Sequence, residues 1–426
     1  MSLRKAASLG AVQTAVSVIA GFLSVKVTSV FLGPAGMGVL SQLQYFIAMS
    51  QTGVSAGLNT GVVRKTAEYG VGSPGQALVV STVFRLLVWV GIPLALIMAI
   101  GSRWLAQRLL HNDALALPLL VFAAVYVLGL VAALIIGSAT GAKDYKATAS
   151  INIGTSLSTV ALYTLLCPRF GVNGGLMGAA LVPAMTLLIA MVFTCRAHWW
   201  PKRLLALPFS SQEARAIAAF IPMAAVGAIA LPLVQILVRN DVAHTSGMAA
   251  VGLLQGVMRI SDMYVGLATS VLGMYYLPRF SEIRVAADLR RELLRGLLIL
   301  VPAVGAVSAC LYLLRDLVIH VVLTEQFLPM RDLFGWQMIG NVFKVIAWLF
   351  GALLVAKSNP MALTVFEVAT YVFWWLLARH FVAADGVRGA TEAYAATYVA
   401  YSVVAAAGIA AVLRNMKREA SGSRQE

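Results

Sequence analysis

Of 426 residues, 60% are hydrophobic and 12% are charged, and the mean hydropathy is +0.86. A soluble domain carries roughly 25% charged residues, and no water-soluble fold of this length hides so much apolar surface, because surface does not shrink fast enough with size. The net charge of +15 falls mostly on Lys and Arg in short stretches between apolar runs, where they orient the chain against anionic lipid; bilayer lipid, not nucleic acid, is the expected partner.

A bilayer core of about 30 Å takes about 20 apolar residues per helix, and twelve segments reach that length. Met1–Lys5 is a basic head, but the apolar run behind it continues to Leu32, too long for the core of a cleaved signal, and is read as the first span. Spans one to six are predicted at Ala7–Leu32, Gly36–Leu58, Ala77–Ile100, Leu115–Gly137, Ser150–Cys167 and Gly174–Cys195. Spans seven to twelve are predicted at Ala216–Val238, Ala249–Leu277, Leu293–Leu313, Phe334–Ala356, Met361–Val382 and Ala393–Leu413. The alternating strands of a spanning barrel are absent. The fold class is therefore an all-α polytopic membrane protein.

Between spans six and seven, residues 198–215 carry Trp199 and Trp200 beside Lys202 and Arg203, a combination suited to the headgroup layer and predicted as a cytoplasmic interfacial linker. Residues 414–426 form a basic tail. Of the 32 Lys and Arg, twenty fall on the side of the N-terminus, among them Arg64, Lys65 and Lys357, and eight on the other, among them Arg169, Arg239 and Arg315. The excess of positive charge predicts both termini in the cytoplasm.

The two halves repeat. Gly38 and Gly252 open spans two and eight 214 residues apart, and Arg64 with Glu68 recurs as Arg279 with Glu282. Gly137 with Lys143 recurs as Gly351 with Lys357, again at 214, and Gly171-Val172-x-Gly174 recurs as Gly386-Val387-x-Gly389 at 215. Four pairs in one register predict an N-terminal lobe at 1–197 and a C-terminal lobe at 216–413, six helices each, related by a pseudo-twofold axis along the membrane normal. Such lobes support alternating access around a site near the midplane.

Six ionisable groups fall inside spans: Lys26, Arg85, Arg259, Asp262, Lys344 and Glu367. Charge in hydrocarbon is costly and defaults to a cavity or pathway; four cations against two anions suit an anion such as phosphate or pyrophosphate. Gln255, Arg259 and Asp262 share one helical face at i, i+4, i+7, and Gln337, Asn341 and Lys344 repeat the spacing. Gln44, Gln51 and Ser55 form a third stripe. Helix–helix hydrogen bonding accounts equally for any one stripe. Lys26 and Arg85 are also placed to snorkel to an interface, and Arg259 with Asp262 also reads as an internal pair. Glu367 reads as a proton or sodium site, or as the partner of Lys344 or Arg259. Cys167, Cys195 and Cys310 and the five histidines show no disulfide or metal spacing, and no Gly-x-x-x-x-Gly-Lys-Ser/Thr phosphate loop occurs. No metal, cofactor or catalytic residue is expected.

Phe31-Leu32-Gly33-Pro34-Ala35-Gly36-Met37-Gly38 resembles the first-loop signature of polysaccharide-lipid flippases. Ala250-Val251-Gly252 through Arg259-Ile260-Ser261-Asp262, Tyr276-Leu277-Pro278-Arg279, and Trp336-Gln337-Met338-Ile339-Gly340-Asn341-Val342-Phe343-Lys344 fit the same family in order and spacing. The chain resembles the Wzx-type O-antigen and enterobacterial-common-antigen translocases, most closely the lipid III flippases, of the multidrug/oligosaccharidyl-lipid/polysaccharide exporter superfamily. The resemblance implies two six-helix bundles in a MATE-like V, and a substrate of undecaprenyl pyrophosphate bearing a short oligosaccharide, moved to the periplasmic leaflet of the bacterial inner membrane by ion-coupled antiport. It also implies a glycan polymerase and a chain-length regulator as further partners. Asn341 stands where the family motif carries an acid, so any titrating group falls to Asp262 or Glu367. Lys26, Arg85, Arg259 and Lys344 are then the expected pyrophosphate ligands, and Gln44, Gln51, Gln255, Gln337 and Asn341 the sugar ligands. A multidrug exporter should instead bury acids for cationic drugs. A glycan polymerase or ligase should carry a large outward loop, yet the longest outward stretch, 314–333, is about 20 residues, too short for a domain of its own.

Overall fold

The computed structural model describes residues 3–197, 199–200, 208–218, 221–357 and 360–422. Among them all regular structure is helical: α1 (Leu3–Tyr69), α2 (Pro74–Ile100), α3 (Ala116–Gly141), α4 (Tyr145–Thr194), a short α5 (Ser211–Ala218), α6 (Ile221–Val271), α7 (Ala286–Leu313), α8 (Phe334–Lys357), α9 (Pro360–Asp385) and α10 (Val387–Gly422). Shorter helical pieces lie at 102–115 and 272–282, and after α7 come a short helix, Arg315–Val322, and a 3-10 segment, Glu325–Leu333.

Three of these helices are too long for one crossing. α1, α4 and α6 run 67, 50 and 51 residues, and each breaks at one glycine with left-handed φ: Gly33 at 63°, Gly171 at 52° and Gly247 at 81°. Gly386, at 58°, divides α9 from α10 in the same way. An L side chain resists this region by roughly 1–2 kcal/mol, so glycine is what lets one apolar rod turn back into a second. Counting α1, α4 and α6 twice, the described residues supply the twelve predicted crossings. Gly33 pairs with Gly247 at 214 residues and Gly171 with Gly386 at 215, the register of the sequence repeat. The duplication is therefore written into backbone geometry as well as residue identity. The matched helix ends agree: Arg64 lies 3.9 Å from Glu68, and Arg279 3.6 Å from Glu282.

The chain forms two compact units, Met1–Ile236 and Leu237–Glu426. The division falls inside α6, and the first unit contains the reason. α1 presents Gly53, Gly57 and Gly61, four residues apart and so on one face. A Cβ added to them would come within 2.8 Å of Ile229 Cγ1, 2.5 Å of Ile221 Cα and 2.6 Å of Ile217 Cγ2, respectively. Lipid gives helices no hydrophobic push together, so small residues that admit close packing decide which helices associate. α5 and the first turns of α6 are thereby bound to α1. α5 is further fixed where Tyr69 donates to Glu213 Oε1 at 2.5 Å and Lys65 lies 3.9 Å from Glu213.

Of the predicted linker, His198 and residues 201–207, including Lys202 and Arg203, lie outside the described residues, as do 423–426 of the tail. Trp199 is buried beside Ile135, Ile151 and Leu187, and its ring N–H donates to Asp144 Oδ2 at 3.1 Å.

Candidate functional site

In the second unit, α8 carries Gln337, Asn341 and Lys344 at the predicted spacing, and Trp348 continues the stripe one turn on. α10 faces it with Tyr394, Tyr398 and Tyr401, again at i, i+4, i+7. Asn341 is fully buried and is the hub. Its amide nitrogen donates to the Tyr264 hydroxyl at 2.8 Å, and its oxygen accepts from Tyr394 at 3.0 Å and from Gln337 Nε2 at 3.3 Å. Tyr264 in turn lies 2.8 Å from the Ser308 hydroxyl. The chain of bonds spans α6, α7, α8 and α10, and holds the tyrosine rings in fixed places.

Lys344 stands over those rings. Its ammonium is 4.7 Å from the centre of Trp348, 5.6 Å from Tyr394 and 5.7 Å from Tyr398. The negative ring faces attract the cation, an interaction that strengthens when water is scarce. Asp262 of α6, exposed on its unit, acts on it electrostatically. Trp348 and Tyr398 also line a cavity of about 40 Å³ with Glu367 of α9, Thr370, Tyr371, Thr397 and Tyr401.

A second cluster corrects one expectation. Arg239, predicted among the outward charges, is fully buried in α6. Its Nη2 donates to Gln255 Oε1 at 2.7 Å and lies 3.2 Å from Met258 Sδ. The turn at Gly247 folds α6 back on itself, so the residue just past an apolar run meets the glutamine one span later. Gln255 is accordingly 3% exposed and engaged with Arg239, while Arg259, one turn on, is half-buried.

In the first unit, Gln44 and Gln51 of α1 line a pocket of about 340 Å³ with Thr159, Tyr163 and Thr186 of α4 and small residues of α3 and α4. Gln44 Nε2 donates to the Tyr163 hydroxyl at 2.9 Å. Lys26 on α1 and Arg85 on α2 are half-buried in this unit and are not among the pocket's lining residues. The predicted residues therefore gather as Gln337, Asn341, Lys344 and Asp262 in one unit and Gln44 with Gln51 in the other. Glu367 and Gln255 occupy neighbouring but separate surroundings. The aromatic partners Trp348, Tyr394 and Tyr398 are not legible from charges and amides alone, and Arg239, expected between spans, is buried within the helix instead.

The family model described as polysaccharide biosynthesis protein matches residues 28–332. The lipid III flippase of Escherichia coli (strain K12) is 32% identical over 403 residues, covering 94% of this chain and 96% of that protein, and the lipid III flippase of Shigella flexneri gives the same figures. Among solved structures, the lipid II flippase MurJ in an inward closed conformation superposes with a TM-score of 0.77 at 10% identity, covering 96% of this chain and 89% of that one. An inward-facing multidrug resistance MATE family transporter of the MOP superfamily gives 0.73 at 14%, covering 94% and 96%. At such identities the structural likeness establishes the fold alone.

Proposed function

Because the chain belongs to the polysaccharide biosynthesis protein family, with lipid III flippases as full-length relatives, we propose that it is an inner-membrane flippase for undecaprenyl-pyrophosphate-linked oligosaccharide. It carries the lipid from the cytoplasmic to the periplasmic leaflet by alternating access, with both its own termini in the cytoplasm. The single observation carrying this reading is 32% identity across 94% of the chain. It is a transporter and performs no glycan-forming chemistry.

The chemistry of the second unit supports the reading. A pyrophosphate crossing the membrane must exchange water for fixed positive charge. Lys344 already rests against rings rather than in an ion pair held at bonding distance, so an arriving diphosphate takes it over without first breaking a strong bond. Arg259, Lys26 and Arg85 are the further cations proposed for the diphosphate. Gln255, Gln337 and Asn341 are proposed for the sugar, with Asn341 acting chiefly through Tyr394. Coupling to an ion gradient falls to Asp262 or Glu367, and a glycan polymerase with its chain-length regulator is the proposed consumer of the delivered lipid.

The deciding experiment uses purified protein in liposomes with undecaprenyl pyrophosphate bearing a short oligosaccharide, with and without a pH gradient. Protein-dependent arrival of the sugar in the opposite leaflet is expected; its absence under both conditions overturns the proposal. The MATE-like fold favours drug export as the second reading. A cationic drug asks for free buried acids, however, and the buried carboxylates Glu213 and Glu292 already accept from Tyr69 and Tyr275, while the fully buried charge among the described residues is Arg239. Drug sensitivity of a deletion strain separates the two, the flippase reading expecting no change.

A further inference from the structure

The pocket of the first unit has a chemistry unlike the Lys344 cluster. None of its lining residues carries a charge: two amides, Gln44 and Gln51, and the hydroxyls of Thr159, Tyr163 and Thr186 stand among Ala, Gly, Ile, Val and Pro. One polar group is unsatisfied. Gln51 Nε2 is buried without a hydrogen-bond partner, beside Gly129, whose absent side chain leaves the space it occupies. A buried amide donor left unmade costs about 1–3 kcal/mol, so a ligand acceptor that meets it recovers that loss. Thr159 and Thr186 spend their protons on Thr155 and Val182 carbonyls at 2.8 and 2.9 Å and so offer the pocket only lone pairs.

We propose that this pocket is a neutral-sugar subsite, holding one uncharged sugar unit of the lipid-linked oligosaccharide; the inference rests on the flippase reading. A sugar hydroxyl both donates and accepts, and so answers an amide donor and threonine acceptors together. Its C–H face lies on Ala132, Ala133 and the Tyr163 ring. A diphosphate finds no cation here and a cationic drug no carboxylate. A polyprenyl chain leaves Gln51 unsatisfied. At about 340 Å³ the pocket lies at the small end of ligand sites, which run from roughly 300 to 1,000 Å³, the scale of a single ring. Substrate recognition thereby gains an uncharged subsite in the first unit, apart from the cations proposed for the diphosphate.

The test measures binding of purified full-length protein to undecaprenyl pyrophosphate, bare and carrying one, two or three neutral sugars. Wild type is expected to bind one of the sugar-bearing forms about tenfold more tightly than the bare lipid, the scale of one or two recovered hydrogen bonds. Gly129→Leu, which fills the pocket, is expected to erase that difference and leave affinity for the bare lipid unchanged. Gln51→Leu, a milder change that keeps the volume, guards against misfolding and is expected to lose most of the same preference. Equal binding of bare and sugar-bearing lipid by wild type overturns the inference, as does a preference that survives both variants. Tighter binding of both lipids alike in Gln51→Leu overturns it too, and assigns the pocket to the polyprenyl chain. A wild type that binds the sugar-bearing lipid but never transfers it in liposomes removes the flippase reading and leaves the subsite standing.

Discussion

The Lys344 ammonium lies 4.7 Å from the centre of the Trp348 ring, one helical turn further along α8. A cation resting on rings is held loosely enough to be surrendered to an anion and firmly enough not to seek lipid. Lys344→Ala should therefore lower surface glycan export at least about tenfold at normal protein levels, the loss of one charge-assisted contact. Tyr398→Phe, which keeps the ring, should leave export near wild type, whereas Tyr398→Leu should lower it. Export measured in a complemented deletion strain distinguishes these; full export by Lys344→Ala removes the role given to the lysine.

Asn341 makes three side-chain bonds and has no exposed surface. Asn341→Leu removes one partner each from Tyr264, Tyr394 and Gln337, at up to about 1–3 kcal/mol for a group left unmet, while Tyr264 keeps Ser308 and Tyr394 keeps Gln337. The variant should melt several degrees lower in detergent, and lower than Gln337→Leu, which breaks two bonds, the 3.3 Å contact to Asn341 and the one to Tyr394, rather than three. Equal melting of the two would deny Asn341 its place as the hub.

Arg239 is a fully buried guanidinium that donates to the neutral amide of Gln255. Arg239→Ala should reduce folded yield by leaving Gln255 without its donor and opening a cavity. Arg239→Lys should restore little, since a point charge on a flexible stem does not reproduce the planar fork. Fluorescence-detected size exclusion of the two variants provides the comparison.

The turning glycines differ in their surroundings although their φ values agree. A Cβ on Gly171 meets nothing within 4 Å, but on Gly386 it meets Ser246 Oγ at 2.9 Å. Both Gly→Ala changes carry the backbone cost of roughly 1–2 kcal/mol. Gly386→Ala adds a steric one, and should give the lower melting temperature of the pair.

Coupling to a proton gradient predicts a specific pair of phenotypes. Glu367→Gln or Asp262→Asn, whichever residue carries the coupling, should make transfer in liposomes indifferent to an imposed pH gradient while substrate still binds. If both variants respond to the gradient as wild type does, neither carboxylate is the coupling group.

The twelve crossings were legible because an apolar run of about 20 residues is the strongest signal a sequence holds, and the Gly171–Gly386 pair because its flanking residues repeat; the Gly33–Gly247 pair emerges from the backbone. The ends of the helices were less so. α1 runs to Tyr69 rather than Leu58, since its last turns leave the apolar layer, where hydropathy falls but helix formation continues. Arg239 was hidden for a related reason: it directly follows an apolar run, and only the turn at Gly247 makes that position interior. Tyr394, Tyr398 and Tyr401 recur at the same spacing as the charged stripes, but tyrosine in a membrane helix reads as apolar bulk until its hydroxyl is seen to reach Asn341.

The glycine face of α1 bears on how the chain is made. During synthesis the sixth crossing leaves the ribosome with that face still bare, and it finds its cover only when residues 217–229 emerge. A gene cut between the halves at the linker would hand the missing piece to the wrong fragment. Cut instead near Gly247, the upstream product keeps its own lid, and that is the pair of fragments that should reassemble in the cell.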